Sequence, residues 1–156
     1  MATFSFTLDS SLPAAAVLDA TTDFSAQRPR LWPNIDPRAY RVRSLATGRA
    51  EVTEGSAVLG GVWARESYDW SQPGTVRATV QESNIFQPGG TWELCTTPQP
   101  GGGCRIEVTV RRRAKGLRGR VVGAMMTLMG PKVHKRLLQQ TLAIIAQAAP
   151  GPILSA

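Results

Sequence analysis

The chain has 156 residues, of which 42% are hydrophobic and 19% charged, and its formal net charge is +7. A chain of this length and composition can bury one sizeable core, so we expect a single globular domain. The longest apolar run, Val121 to Met129, is less than half of a bilayer crossing. Residues 1–20 lack the basic start and apolar block of a secretory signal, so the expected location is the cytoplasm.

Alternating and helical patterns predict the elements in chain order. Thr3–Leu8 alternates as a strand, and two short helices follow over Ala14–Thr22 and Asp23–Leu31. The two prolines that follow Trp32 predict an extended connection. Six strands then form three hairpins, which pair 38–45 with 49–54, 60–70 with 75–81, and 91–96 with 104–113.

The last predicted element is a long helix from Lys115 to Ala149. Its apolar residues recur at three- and four-residue spacing and form one stripe that must pack on another element. The stripe consists of Val122, Met125, Met126, Met129, Val133, Leu137, Thr141, Ile144 and Ile145. Gly130 and Pro131 interrupt this pattern, and proline has no amide hydrogen to donate, so we expect a kink or a short break there.

Positive charge is concentrated at the start of this helix. Nine arginines accompany eleven acids up to Glu107, whereas the chain from Val108 onward has nine Lys and Arg residues and no acid. The helix dipole adds partial positive charge at the same place, so a phosphate or carboxylate would be stabilised there. We call this group the anion rim, and it consists of Arg113, Lys115, Arg118 and Arg120. The alternative is that these side chains are merely solvated.

Three stretches, together with the order of elements, carry a family resemblance. They are Leu31-Trp32-Pro33, Val52-Thr53-Glu54-Gly55 and Arg65 to Gly74, and the chain resembles the START/Bet v 1-like superfamily, within it the polyketide cyclase/dehydrase or SRPBCC group. The resemblance implies an α+β helix-grip fold. In that fold a seven-stranded curved antiparallel sheet holds one long C-terminal helix, and two short helices follow the first strand. The implied domain covers 1–149 and leaves 150–156 as a C-terminal tail.

The resemblance also implies a cavity between the sheet and the long helix, in which members bind lipids, sterols, polyketides or other apolar ligands. Aromatic side chains and the adaptable methionines are its expected walls. The expected ligand-binding residues are Tyr40, Tyr68, Trp70, Trp92, Met125, Met126, Met129 and Val133. The alternative for the methionines is that they only fill the core.

Strand 60–70 leaves open which of its faces points into this cavity. We favour the more apolar face, with Tyr68 and Trp70 inward, whereas a tight turn at Pro73-Gly74 favours the other face and a buried Arg65–Asp69 ion pair. The polar groups that either arrangement offers to the cavity are Glu54, Arg65, Glu66, Asp69 and Glu82.

The sequence contains little else that signals chemistry. His134 is the only histidine and Cys95 and Cys104 are the only cysteines, so we expect neither a metal nor a cofactor. We expect His134 to face the sheet edge or solvent. If Leu94 pairs with Ile106, the two cysteines point to different faces and form no disulfide.

Three functions remain from different classes. We favour binding of a small apolar or amphipathic molecule, lipid- or polyketide-like, with or without an anionic head. The alternative is a polyketide cyclase/aromatase-type enzyme that uses a cavity carboxylate or tyrosine as acid and base. A weaker alternative is association with a membrane or a nucleic acid through the basic C-terminal element. Against this whole alternative stands the absence of interleaved aromatics between Arg111 and Arg136, and nucleic acid in particular is disfavoured.

Overall fold

A computed structural model describes residues 1–148 of the chain. Strand β1 (Ala2–Ser10) precedes helices α1 (Ala14–Thr21) and α2 (Arg28–Leu31), and helix α3 (Gly116–Ala148) ends the described chain. The six strands between them are β2 (Arg41–Ala46), β3 (Arg49–Ser56), β4 (Val62–Asp69), β5 (Thr75–Ser83), β6 (Thr91–Pro98) and β7 (Cys104–Arg112). This order confirms the predicted one, and the predicted tail at 150–156 lies outside the described residues.

The seven strands form one antiparallel sheet in the order β1-β7-β6-β5-β4-β3-β2. The first strand therefore pairs with the last, and β2 lies at the opposite edge. Register shifts between Val42 and Ser44 and between Arg65 and Glu66 bend the strands, as bulges do. Helix α3 packs across the concave face, mainly against β1. The architecture is the predicted α+β helix-grip fold.

Alternation along the strands separates a buried inner face from a solvated outer face. Leu94, Ile106, Val108 and Val110 are fully buried on the inner face, beneath α1 and the second half of α3. Strand β4 obeys the same alternation, because Tyr68 pairs with Ala78 and Asp69 pairs with Arg77. Tyr68 therefore points inward, as we favoured, while Arg65 and Asp69 point outward. The alternative buried Arg65–Asp69 pair is wrong.

The β6–β7 hairpin is tighter than predicted. Leu94 lies opposite Val108 rather than Ile106, and Pro98 closes the hairpin opposite Cys104. A shift of two residues leaves every side chain on its predicted face, since strand faces alternate with a period of two. Cys104 is buried on the inner face, and both cysteines are free thiols, as predicted.

Helix α3 continues through Gly130 and Pro131 as one helix, so the short break that the sequence allowed is wrong. Gly130 is buried because it marks the closest approach of the helix to β1: a Cβ there would lie 2.6 Å from Cε1 of Phe4. The buried line runs through Gly119, Val122, Gly130, Leu138, Thr141 and Leu142. The helix is therefore rotated relative to the predicted stripe.

Candidate functional site

A cavity of about 160 Å³ lies between the inner face of the sheet, α2 with the segment that follows it, and α3. One part of its wall is apolar and comprises Phe6, Trp32, Ile35, Trp92, Val108, Leu137 and Leu138. The other part is polar and comprises Arg28, Asn34, Glu54, Glu66, Tyr68, Arg112 and His134. A mixed lining of this kind is typical of small-molecule sites.

A wider depression lies on the outer face of the sheet, but it offers little to a ligand. It is open to solvent and lined by polar side chains such as Arg49, Glu51 and Asp69. These charges pair with neighbouring strands, as in Arg49–Asp69 at 3.3 Å and Arg65–Glu51 at 2.8 Å. Exposed pairs are ordinary features of a solvated sheet face, so the inner cavity is the candidate site.

The guanidinium of Arg28 is the most heavily engaged polar group of the cavity. Only 3% of this side chain is exposed, and its Nε donates to Oε1 of Glu54 at 2.5 Å. Its Nη1 donates to the carbonyl oxygens of Thr21 (2.9 Å) and Asp23 (3.2 Å), at the end of α1 and just beyond it. Arg28 therefore ties the short helical segment to the sheet.

Tyr68 connects Arg28 and Glu54 into one network. Its hydroxyl accepts from Nη2 of Arg28 at 3.3 Å and donates to Oε2 of Glu54 at 3.0 Å. Burial, and then the charge of Glu54, raises the pKa of Tyr68 well above its usual value. Burial opposes the charge of Arg28, but Glu54 and Tyr68 together raise its pKa above the ordinary value. The network is therefore an ion pair with a neutral phenol.

A second buried ion pair joins β4 to the end of β7. Nη2 of Arg112 lies 2.6 Å from Oε1 of Glu66, and the two side chains are 10% and 8% exposed. Nη1 of Arg112 also donates to the carbonyl oxygen of Gly90 at 3.1 Å. Charged hydrogen bonds of this kind fix the guanidinium geometry. Two Arg–Glu pairs thus share one cavity on a largely apolar sheet face.

His134 packs on Phe4 of the edge strand β1, as expected, but it also lies in the cavity wall, which the sequence did not predict. Its Nδ1 is 2.9 Å from the carbonyl oxygen of Gly130. Because a carbonyl only accepts, the neutral ring carries its proton on Nδ1, and its Nε2 lone pair is free of any hydrogen bond within the described residues. Burial lowers the pKa of His134 below 6.5, and although the Gly130 bond opposes this, Arg112 adds to it.

This depressed pKa predicts how stability depends on pH. The folded state favours the neutral ring, so below pH 6.5 the unfolded chain binds more protons. The contribution of His134 to the free energy of unfolding is complete above pH 6.5, and it is lost as the pH falls through the lowered pKa of the folded state. We expect His134→Gln to weaken the fall in unfolding midpoint between about pH 7 and about pH 5, measured by circular dichroism. Identical pH profiles for both proteins would contradict this assignment.

The sequence matches, over residues 1–149, the family model described as polyketide cyclase / dehydrase and lipid transport. The chain belongs to this family. The resemblance stated from the sequence is thereby confirmed. A comparison with curated proteins gave no significant match.

Several solved structures share the fold of this family member. A protein from Thermus thermophilus superposes with a TM-score of 0.77 at 13% identity, covering 95% of this chain and 99% of the other. A START superfamily protein from Mycobacterium smegmatis gives 0.76 at 14%, covering 96% and 100%. The Zhui aromatase/cyclase from Streptomyces sp. R1128 gives 0.73 at 13%, covering 93% of each chain. At such identities the likeness establishes the fold.

Two absences concern the described residues of this family member. None of the helices formed by residues 1–148 is long and apolar enough to cross a membrane. Within that same range, no three His, Cys, Asp or Glu side chains come together as a metal site requires.

Four of the sequence-predicted site residues line the cavity, namely Glu54, Glu66, Tyr68 and Trp92. Tyr40 and Trp70 are half-buried beside it rather than in it. The hydroxyl of Tyr40 donates to the carbonyl oxygen of Phe24 at 2.8 Å, and burial raises the pKa of Tyr40 to about 12. Trp70 packs against the ring of Phe24 at 5.6 Å. Both support the wall behind Tyr68.

The helix residues differ most from the prediction. Met126 is half-buried and packs on the core, but Met125, Met129 and Val133 are 45%, 56% and 44% exposed. The reason is the close contact of Gly130 with Phe4, which turns the helix face that contains Gly130 and His134 toward the sheet. The pattern counted Gly130 as an interruption, although it is the centre of the buried face.

The remaining predicted polar groups lie outside the cavity. Arg65 pairs on the outer face with Glu51 and with Glu82, at 2.8 Å and 3.4 Å. The Ser71 hydrogen bonds, together with Arg49, lower the pKa of Asp69 there. None of the anion-rim residues, Arg113, Lys115, Arg118 and Arg120, lines the cavity, and all four are exposed at the start of α3. An anionic head therefore has no rim cation beside it in this cavity.

Sequence reasoning missed Arg28, Trp32, Asn34, Arg112 and His134. Two of these carried a usable signal. Arg112 continues the inward alternation of Val108 and Val110, although its place in a run of three arginines suggested solvent. His134 follows Gly130 by one helical turn. Arg28 had no such signal, because nothing in its spacing shows that α2 lies over Glu54.

Proposed function

We propose that this family member binds a small amphipathic molecule in the cavity between α3 and the sheet. The observation that carries the proposal is the presence of two buried Arg–Glu pairs on a sheet face that is largely apolar. A buried ion pair is weak evidence for stability, since apolar residues of similar volume often serve as well or better. Polar groups at fixed positions in an apolar pocket are instead what orients a ligand.

The charges of the site favour a neutral, oxygen-bearing head. Arg28 and Arg112 already have the carboxylates of Glu54 and Glu66 as partners, so the site needs no further anion. The Nε2 lone pair of His134 accepts a hydrogen bond from a hydroxyl, and Asn34 offers both a donor and an acceptor. A phenol, alcohol or ketone fits these groups better than a carboxylate.

The size of the cavity limits the rest of the molecule. Its volume of about 160 Å³ is below the roughly 300–1,000 Å³ of typical ligand pockets. The proposal is therefore a molecule of one or two rings, or a short chain, packed between Trp32, Trp92 and Leu137. The family description, which names polyketide cyclisation and lipid transport, supports a partly apolar ligand.

Two variants about two turns apart on α3 test this site. Leu137→Trp fills the cavity, whereas Met129→Trp places the same ring on the exposed side. We expect 2-naphthol, followed by calorimetry, to bind the unsubstituted protein and Met129→Trp and to be lost in Leu137→Trp. Naphthalene should bind more weakly because it cannot satisfy the polar wall.

The thermal unfolding midpoint of each variant is measured as a control, because it shows whether the variant is folded. Equal binding of 2-naphthol by Leu137→Trp and Met129→Trp, with both folded, would place the ligand elsewhere. Loss of binding in Met129→Trp alone would shift the site to the outer side of α3.

A second candidate function is proton transfer on a bound ketone, and the neutral His134 favours it. Glu54 and Glu66 are both engaged in ion pairs, and the pKa of Tyr68 is raised. The cavity carboxylates and the tyrosine are therefore poorly suited to the acid–base role expected from the sequence. The free Nε2 of His134 is the better base. This function differs from binding alone in that His134→Gln abolishes deuterium exchange beside the ketone while the ketone stays bound.

A further inference from the structure

The solvent-facing side of the first half of α3 is apolar. Leu117, Val121, Met125 and Leu128 recur every three or four residues and are 79%, 52%, 45% and 82% exposed. We call these four residues the outer stripe. The opposite side of the same helix, with Val122 and Met126, packs on the sheet. A surface helix needs one apolar side to pack, so the second one indicates an interaction surface.

Cations border the outer stripe and no acid accompanies them. Arg120, Lys132 and Arg136 are exposed on α3, and the chain from Val108 onward contains no Asp or Glu. Lys132 follows Leu128 by one helical turn and therefore extends the stripe with a charge at its end. An apolar helix side bordered by Lys and Arg is the signature of a helix that lies in a membrane interface.

We propose that the outer stripe docks this domain on an anionic lipid surface. The four side chains are aliphatic or thioether groups without a hydrogen-bonding atom of consequence, which suits acyl chains. Protein interfaces, by contrast, are enriched in aromatic residues, and the outer stripe has none. The bordering cations match the negative charge of such a surface and are attracted to it.

A second copy of the chain fits the stripe less well. A symmetric contact through α3 would bring together two helices that each contain five cations and no acid. Like charges facing each other across a contact oppose association. Docking on lipid also does not depend on what the cavity binds, so the two proposals fail independently.

Flotation of the purified protein with vesicles tests the docking surface. We expect binding to vesicles of phosphatidylcholine with phosphatidylserine, little binding to phosphatidylcholine alone, and a loss of binding as salt rises. The double variant Leu117→Ser, Leu128→Ser should bind at least about tenfold more weakly, because two side chains no longer leave water. The control Leu45→Ser removes a leucine that is 63% exposed on β2 and should bind unchanged.

Charge reversal separates the two parts of the surface. Arg120→Glu with Lys132→Glu should weaken binding to the serine-containing vesicles by at least about fivefold per charge. These residues are exposed, so unfolding midpoints should stay near that of the unsubstituted protein. Failure of the unsubstituted protein to float with either vesicle would overturn the proposal. So would a dimer in sedimentation that the double leucine variant converts to a monomer, because a second copy would then cover the stripe.

Discussion

Replacing Arg28 by methionine is expected to lower the free energy of unfolding by about 3–5 kcal/mol, as removal of one partner of a buried ion pair does. Methionine keeps most of the apolar volume but leaves the Glu54 carboxylate with only the Tyr68 hydroxyl. The carbonyl oxygens of Thr21 and Asp23 also lose their donor.

Urea unfolding tests this expectation when the unsubstituted protein and Arg28→Met are compared with two further variants. The double variant Arg28→Met, Glu54→Leu should recover part of the loss, because no uncompensated charge remains in the cavity. Arg49→Met is the matched control, since Arg49 is 73% exposed and its pair with Asp69 lies on the outer face. If Arg28→Met loses no more stability than Arg49→Met, the guanidinium is not the tie between α2 and the sheet.

Two glycines one turn apart on α3 should respond in opposite directions to alanine. A Cβ on Gly119 would collide with the carbonyl oxygen of Ile85, which is backbone and cannot rotate away. A Cβ on Gly123 would meet only the Cβ of Ala114 at 3.7 Å, an ordinary contact. Gly119→Ala should therefore destabilise by about 1–3 kcal/mol through overpacking. Gly123→Ala should stabilise by up to about 1 kcal/mol through helix propensity.

The midpoints of thermal unfolding of both variants measure this difference. The same carbonyl of Ile85 accepts from the backbone N–H of Lys115 at 2.8 Å, so any displacement also strains the entry into α3. Similar stabilisation by both alanines would mean that α3 lies farther from Ile85 than the structure places it.

The fold was readable from the sequence because its signals are local. Alternation placed Ile106, Val108 and Val110 on one face, and the turn residues at Ala46-Thr47-Gly48 and Pro73-Gly74 separated the strands. The register between β6 and β7, by contrast, was not fixed by a local signal. It depended on Pro98 joining the ladder opposite Cys104, and the flexible glycine-rich loop beyond it did not indicate this.

Only part of the candidate site could be predicted from the sequence, because its charged groups depend on partners that are distant in the chain. Glu54 and Tyr68 lie on strands whose alternation shows the inward side. Whether a charge on that side is tolerated depends on its partner, and Arg28 reaches Glu54 from a short helix 26 residues earlier in the chain. The rotation of α3 likewise depends on one contact, that of Gly130 with Phe4. Because glycine has no apolar side chain, the hydrophobic pattern treats Gly130 as an interruption.

Titration of the ¹⁵N-labelled protein with 2-naphthol tests the central claim most directly, because the four tryptophan indoles report on different places. Trp32 and Trp92 line the cavity, whereas Trp63 and Trp70 do not. The account predicts that the indole N–H signals of Trp32 and Trp92 shift together as the ligand is added, while those of Trp63 and Trp70 stay in place. Shifts confined to Trp63 and Trp70, or no shift at any indole at saturating 2-naphthol, would contradict a ligand site between α3 and the sheet.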